Sequence, residues 1–339
     1  MKRSVLSTVN LRRTMVVALA AMVSVTAFGG IGVAEPAKPS SVTEVVKDGR
    51  TWHLKVYSAA MDKEVTIDVQ RPIDESAPAP NLYLMSGLDA GESSASWRAQ
   101  TDVLPFLADK QVNVIEPIGG RGSYYTDWVN PDPKLGVNKW RTFFTEELPP
   151  LLDKTLQSTG RNALAGVSTS GTSVLQLAEA KPGLWKSVAA YSGCAQIADP
   201  LGRTALKLSV ETWAGGKIDN MYGPADSPLW AANDPVVNAE KLRGTDLYLS
   251  TGSGLPVFED LQWYQSDAPG PTGMVNLTVG SVIEGAVEQC TLNLKGKLDS
   301  LGIPAQYNFN PVGTHRWSYW DETFRESWPM LARSMGLTS

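Results

Sequence analysis

Histidine is almost missing from this chain. His53 and His315 are the only two in 339 residues, which excludes a histidine-rich metal site and leaves two candidates for any chemistry that needs imidazole. Cysteine is as scarce, with Cys194 and Cys290 an even pair. After residue 34 no apolar run reaches the roughly 20 residues a membrane-spanning helix needs. Basic charge is also short. Four of the 30 Lys and Arg (Lys2, Arg3, Arg12 and Arg13) precede the first acidic residue, Glu35, so the chain from Glu35 onward carries 26 basic against 35 acidic side chains, a net −9. That balance argues against nucleic acid or anionic headgroups as the main partner. With 42% hydrophobic and 19% charged residues, disorder is excluded as well.

What is present begins at the N-terminus. The apolar stretch Met15–Val33 follows Arg12-Arg13 and ends in Gly32-Val33-Ala34 before Glu35-Pro36. A basic region, an apolar region and small residues at the exit make a secretory signal, cleaved near Ala34, and predict a secreted or cell-envelope protein. A retained N-terminal anchor is the alternative. The residues flanking Arg12-Arg13 fit a twin-arginine signal poorly. Export permits a Cys194–Cys290 disulfide, with two buried thiols as the alternative.

Residues 35–45 read as a polar leader and 46–339 as a single domain. Thr51–Ser58 and Glu64–Gln70 read as strands around a turn at Met61-Asp62-Lys63. Asn81–Met85, Val112–Ile118, Ala163–Val167, Val188–Tyr191, Leu247–Ser250 and Gln306–Phe309 are short apolar runs like buried strands. Ser96–Lys110, Trp140–Leu156, Ser170–Ala180 and Ala286–Leu301 carry helical spacing between them. Alternating strands and helices predict an α/β domain with a mainly parallel sheet covered on both faces. Residues 199–240 form a long connection expected over the sheet's functional edge.

Ala163–Gly171 runs from a predicted strand straight into a predicted helix and contains Gly166-Val167-Ser168-Thr169-Ser170. Gly-x-Ser-x-small at that junction is a nucleophile elbow: small neighbours allow the strained turn that lifts the serine above the sheet, beside amides at the helix N-terminus. Gly91-Glu92-Ser93 shares the tripeptide but lacks the junction. The other role for Ser168 is a helix cap. A serine nucleophile needs a base. His53 lies in an early strand, where an edge or surface role suits it, whereas His315 follows the last predicted strand, the loop from which an α/β-hydrolase histidine reaches the serine. Asp260 and Glu284 both lie between Ser168 and His315, so either fits as the orienting acid.

The chain resembles the trehalose mycolyltransferases typified by the mycobacterial antigen 85 proteins. The resemblance rests on Leu82–Leu88, Gly119–Trp128, Lys139–Phe143, Glu147-Leu148-Pro149, the serine elbow, Met221–Pro224, Asn233-Asp234-Pro235 and Gly313–Trp320. It implies an α/β-hydrolase fold with a mainly parallel central sheet and helices on both faces. Glu284-Gly285-Ala286-Val287 matches the family's triad-glutamate run, so the resemblance implies Ser168 as nucleophile, His315 as proton shuttle and Glu284 as the acid. It further implies an oxyanion hole from the amides of Leu88 and Thr169, and sugar contacts at Ser86, Asp89 and Trp317. The family has Asp and Arg where this chain has Ser86 and Asp89, and its cysteine pair near Asp127-Trp128 is absent. A Cys194–Cys290 bridge would instead hold the acid-bearing helix against the strand end at Tyr191-Ser192-Gly193.

The implied reaction moves a long acyl chain from trehalose monomycolate through Ser168 to a sugar hydroxyl, on trehalose monomycolate or on cell-wall arabinogalactan. Eleven Trp suit sugar rings and lipid, although half or more are expected in the core. The partners expected are a glycolipid substrate and a sugar acceptor within the cell envelope, with no nucleic acid, metal or cofactor, and a monomeric chain. A plain secreted carboxylesterase and a non-enzymatic wall-binding protein are the alternatives.

Overall fold

The structure, a computed structural model, describes residues 38–338. The expected signal segment 1–34 lies outside them. Among the described residues nine strands form one sheet: β1 (Ser41–Asp48), β2 (Thr51–Ser58), β3 (Lys63–Gln70), β4 (Asn81–Met85), β5 (Asn113–Ile118), β6 (Asn162–Val167), β7 (Trp185–Tyr191), β8 (Asp246–Thr251) and β9 (Gln306–Phe309). Their order is β1-β2-β3-β5-β4-β6-β7-β8-β9. The pairs β1–β2, β2–β3 and β3–β5 are antiparallel and the remaining five are parallel. This is the α/β-hydrolase arrangement, with helices on both faces.

The strand pattern follows from burial on two sides. In β4, Leu82 and Leu84 belong to one apolar cluster and Tyr83 and Met85 to another. In β6, Ala163, Ala165 and Val167 face the first cluster and Leu164 the second. Successive side chains point to opposite faces, and both faces are dry, so polar alternation is absent. Helices Thr169–Ala180 and Leu148–Leu156 cover one face, and Trp317–Met335 covers the other through Trp320, Phe324 and Leu331.

Residues 199–240 are not an open loop. They fold into short helices over a small core of their own, in which Trp128, Ile197, Met221, Tyr222 and Trp230 are buried. The carboxylate of Asp234 secures this layer by accepting from the amides of Ile197, Ala198, Val236 and Val237.

Several boundaries differ from expectation. Residues 41–45 are part of the edge strand β1, not a polar leader. Six of its eight residues are exposed, which is why it carries no apolar pattern. Ser96–Lys110 splits into helices Trp97–Gln100 and Val103–Leu107 because Thr101 is extended and its hydroxyl takes the Trp97 carbonyl. Trp140–Leu156 is helical throughout but widens into a π turn at Phe143–Glu147. The helix expected at Ala286–Leu301 begins fifteen residues earlier, at Pro271.

Candidate active site

Ser168 sits between β6 and the helix Thr169–Ala180 with φ 56° and ψ −126°, a backbone conformation costly for any residue with a side chain. The turn is tight enough to forbid bulk around it. A Cβ on Gly166 would lie 2.6 Å from the Ser170 carbonyl oxygen, and one on Gly193 would lie 2.4 Å from the Gly171 backbone. The serine hydroxyl makes no capping bond to its helix. It lies instead 2.9 Å from Nε2 of His315.

His315 follows β9 and stands two residues before the helix Trp317–Met335, whose N-cap is Arg316. Its Nδ1 is 2.7 Å from Glu284 Oε2. The edge of Trp320 meets its ring at 4.8 Å between centroids. Its carbonyl accepts the Tyr264 hydroxyl at 3.3 Å and its amide donates to the Gly280 carbonyl at 3.3 Å. Gly280 is required there, since a Cβ would fall 2.1 Å from the Tyr264 oxygen. Burial raises the Tyr264 phenol above its ordinary value, so it serves as a neutral donor.

Glu284 lies on the long helix Pro271–Leu301 and is 1% exposed. A buried carboxylate needs donors, and three supply Oε1: the Ser192 hydroxyl at 2.6 Å, the Gly252 amide at 2.7 Å and the Thr251 hydroxyl at 3.2 Å. Oε2 is thereby left for the imidazole. Ser192 in turn accepts from the Trp320 indole at 2.9 Å. The disulfide Cys194–Cys290 ties this helix, six residues beyond Glu284, to the chain leaving β7.

Asp260, the other acid the sequence offered, does not touch the imidazole. It is fully buried and holds the residues around it: Thr314 at 3.2 Å, Tyr319 at 3.2 Å and Arg316 at 2.6 Å. The segment Ser86–Asp89 closes over the serine from the β4 end. A Cβ on Gly87 would lie 3.2 Å from Ser168 Cβ, and the Leu88 carbonyl accepts from the Gly122 amide at 3.0 Å. Thr169 is the first residue of its helix, where an amide has no carbonyl within the helix to bond. Ser86 is buried and its carbonyl accepts the Ser170 hydroxyl. Asp89 pairs with Arg121 at 3.3 Å and accepts from Ser93 at 2.6 Å. His53 stands on β2, which is paired on both sides and so is not an edge strand; its side chain is exposed and 2.7 Å from Asp68, a surface role.

Two cavities adjoin the constellation. A cleft of about 260 Å3 is lined by His315, Trp317, Trp320, Trp263, Tyr264 and Ile283, among others. An apolar cavity of about 230 Å3 lies between the helix Pro200–Lys207 and the long helix, with Leu201, Leu208, Trp213, Ile283, Val287 and Cys290 in its wall. Ile283 is common to both. Eight of the eleven Trp are buried in the core; the other three, Trp213, Trp263 and Trp317, all line these cavities.

An esterase family model, described as "Putative esterase", matches residues 58–331. Over 294 residues the chain is 31% identical to the Diacylglycerol acyltransferase/mycolyltransferase Ag85A of Mycobacterium leprae, covering 84% of each chain. The chain belongs to the antigen 85-like esterases. The Ag85B protein of Mycobacterium avium is also 31% identical, over 292 residues, covering 84% of this chain and 83% of that one. The crystal structure of Mycobacterium tuberculosis MPT51 superposes with a TM-score of 0.69 at 19% identity, over 85% of this chain and 100% of that one, and shares the fold. In this antigen 85-like chain, sequence reasoning passed over Ser192, Gly252 and Trp320 as partners of Glu284 and His315. Only Trp320 carried a signal, through its place in Trp317-Ser318-Tyr319-Trp320.

Proposed function

We propose that the chain is an exported serine acyltransferase acting on a trehalose ester with a long acyl chain, of the trehalose monomycolate type. The reading is carried by one observation, the continuous row of hydrogen bonds from Ser168 Oγ through His315 to Glu284. In that row His315 Nε2 takes the Ser168 proton as the hydroxyl attacks the ester carbonyl, while Glu284 fixes the imidazole and balances its charge. The amides of Leu88 and Thr169 receive the oxyanion. The proton passes from His315 to the departing sugar oxygen, which leaves acyl-Ser168. A second sugar hydroxyl, on another glycolipid or on wall arabinogalactan, then gives its proton to His315 and attacks the acyl carbon; the bond to Ser168 Oγ breaks and His315 returns the proton to that oxygen.

The apolar cavity beside Ile283 suits an acyl chain, and Trp263 and Trp317 offer flat faces to a sugar in the cleft that His315 lines. Ser86 and Asp89 lie on either side of Gly87-Leu88, beside Ser168; Asp89 is already paired with Arg121, so sugar contact there goes through the pair and not through a free carboxylate. The signal expected from the N-terminal sequence and the disulfide support action outside the cytoplasm, at the cell envelope.

Incubating the mature protein with trehalose monomycolate tests the reading. Trehalose dimycolate and free trehalose are the expected products, and Ser168→Ala abolishes them with a loss of ~10³-fold or more. Free mycolic acid as the only acyl product reassigns the chain as a carboxylesterase. Turnover unchanged in Ser168→Ala refutes the nucleophile and revives a wall-binding role.

A further inference from the structure

The far end of the serine-bearing helix carries polar groups that the reaction does not use. Glu179 is 5% exposed and Gln176, one turn earlier, is 8% exposed. Both line a cavity of about 430 Å3 together with Arg141, Asn233 and Lys241, a size within the range of about 300–1,000 Å3 usual for small-molecule sites. At ~1.5 Å per residue along the helix, Glu179 stands ~16 Å from Ser168, and the cavity shares no lining residue with the cleft at His315.

Hydrogen bonding at this cavity is incomplete. Gln176 commits its Nε2 to the Asn233 carbonyl at 2.7 Å and to the Tyr222 hydroxyl at 3.2 Å. Those two bonds set the orientation of the amide, and Oε1 is left without a partner. Glu179 Oε1 has none either. Buried acceptors are rarely left unpaired, and two neighbours on one helix face call for donors from outside the chain.

The lining narrows the class of donor. A cation would satisfy both acceptors but would meet Arg141 and Lys241. A fully deprotonated anion would suit those two cations, yet it brings no hydrogen for Gln176 Oε1, and a hydrogen-bearing one such as phosphate is the competitor to be tested. Burial, ahead of the opposing charge of Lys241, holds the Glu179 carboxyl well above its ordinary range and favours the protonated acid, which both donates and accepts. A neutral ligand with several hydroxyls satisfies every group. We propose that this cavity is a second, non-catalytic site for a neutral sugar, whose hydroxyls donate to Gln176 and Glu179 and accept from Arg141 and Lys241. The site does not depend on the reading of the chemistry at Ser168.

A glycolipid headgroup and a polysaccharide unit present the same hydroxyls, so the test uses two probes, trehalose and a soluble arabinan oligosaccharide, titrated calorimetrically into the mature chain. At least one of them binds, and Glu179→Leu or Lys241→Ala weakens that binding about tenfold or more, while Glu179→Gln keeps it within about threefold. Hydrolysis of a p-nitrophenyl ester stays unchanged in all three variants. Lys241 is on the exposed rim, so its variant carries the test even if Glu179→Leu folds poorly. Preference for trehalose identifies the headgroup as the source, and preference for arabinan the polysaccharide. The proposal is overturned if neither sugar titrates, if binding ignores both Glu179→Leu and Lys241→Ala, or if inorganic phosphate displaces the sugar.

Discussion

Asp260 is the residue whose removal should most clearly separate positioning from chemistry. Its carboxylate is fully buried, and the Arg316 guanidinium paired with it is 11% exposed. Asp260→Leu therefore strands a nearly buried cation, an event that costs about 3–5 kcal/mol. The hydroxyls of Thr314 and Tyr319 lose an acceptor as well, each worth about 1 kcal/mol. Arg316 lies over the Tyr319 ring at 4.8 Å and keeps a path to water, so the total should stay near 4 kcal/mol and not reach the sum. Because Thr314 and Arg316 flank His315, a loosened loop misplaces Nε2, and an error of about 1 Å is worth up to 10²-fold in rate. Urea denaturation at pH 7 and kcat/KM on an ester substrate measure the two effects. The double variant Asp260→Leu/Arg316→Met removes the stranded charge and should recover at least half of the stability while leaving activity low. A single variant that loses less than 1 kcal/mol, or a double variant no better than the single, refutes the reasoning.

The disulfide and a buried carboxyl give two further tests. Cys194 and Cys290 are 96 residues apart in sequence, so Cys194→Ala with Cys290→Ala should cost about 4–5 kcal/mol on the chain-entropy account, read as a lower Tm that dithiothreitol no longer changes. The denatured, unreduced wild-type chain should show no free thiol, and two per chain would contradict the bridge. Glu116 lies opposite Asp68 across β3–β5 and beside Arg98. Burial, outweighing Arg98, raises its carboxyl from 4.5 to about 7. Between those pH values the unfolded chain has released a proton that the folded chain keeps. Its stabilising contribution is therefore complete below about pH 4.5 and fades, by up to ~3 kcal/mol, as pH rises to about 7. Urea melts at several pH values should show this slope, and Glu116→Gln should flatten it.

Seven of the eight strands that were legible in the sequence are packed within the sheet, where dryness on one or both faces leaves short apolar runs as the only economical composition; the eighth, β9, forms the far edge, and its half-buried Tyr307 and Phe309 still carry an apolar signal. β1 was hidden because it lies on the edge with most side chains in water, so selection there favours charge, as in Glu44, Lys47 and Asp48, over apolar pattern. The first half of the helix Pro271–Leu301 was hidden for a different reason. Gly273, Gly280, Thr278 and the valines at 275, 279 and 282 are poor helix formers. Tertiary packing wins there: Gly280 admits the Tyr264 hydroxyl, Gly273 lies against the Ala268 carbonyl, and Leu277 and Glu284 are buried on the same side. At the site, Ser168 and His315 were readable because a strained strand-to-helix junction and a shortage of histidine leave few options. The acid was not readable from spacing. Asp260 and Glu284 both follow β8, and only the three-dimensional path brings one to the imidazole and the other to its neighbours.

Glycine would adopt the backbone of position 168 without strain, whereas serine at φ 56° and ψ −126° holds it at a cost of order 1–3 kcal/mol. The hydroxyl and the most stable version of this fold are therefore in opposition at a single residue. In a duplicated copy of this chain released from ester chemistry, glycine at 168 would be favoured by folding alone. Such a descendant would betray its lost activity by melting at a higher temperature than its working ancestor.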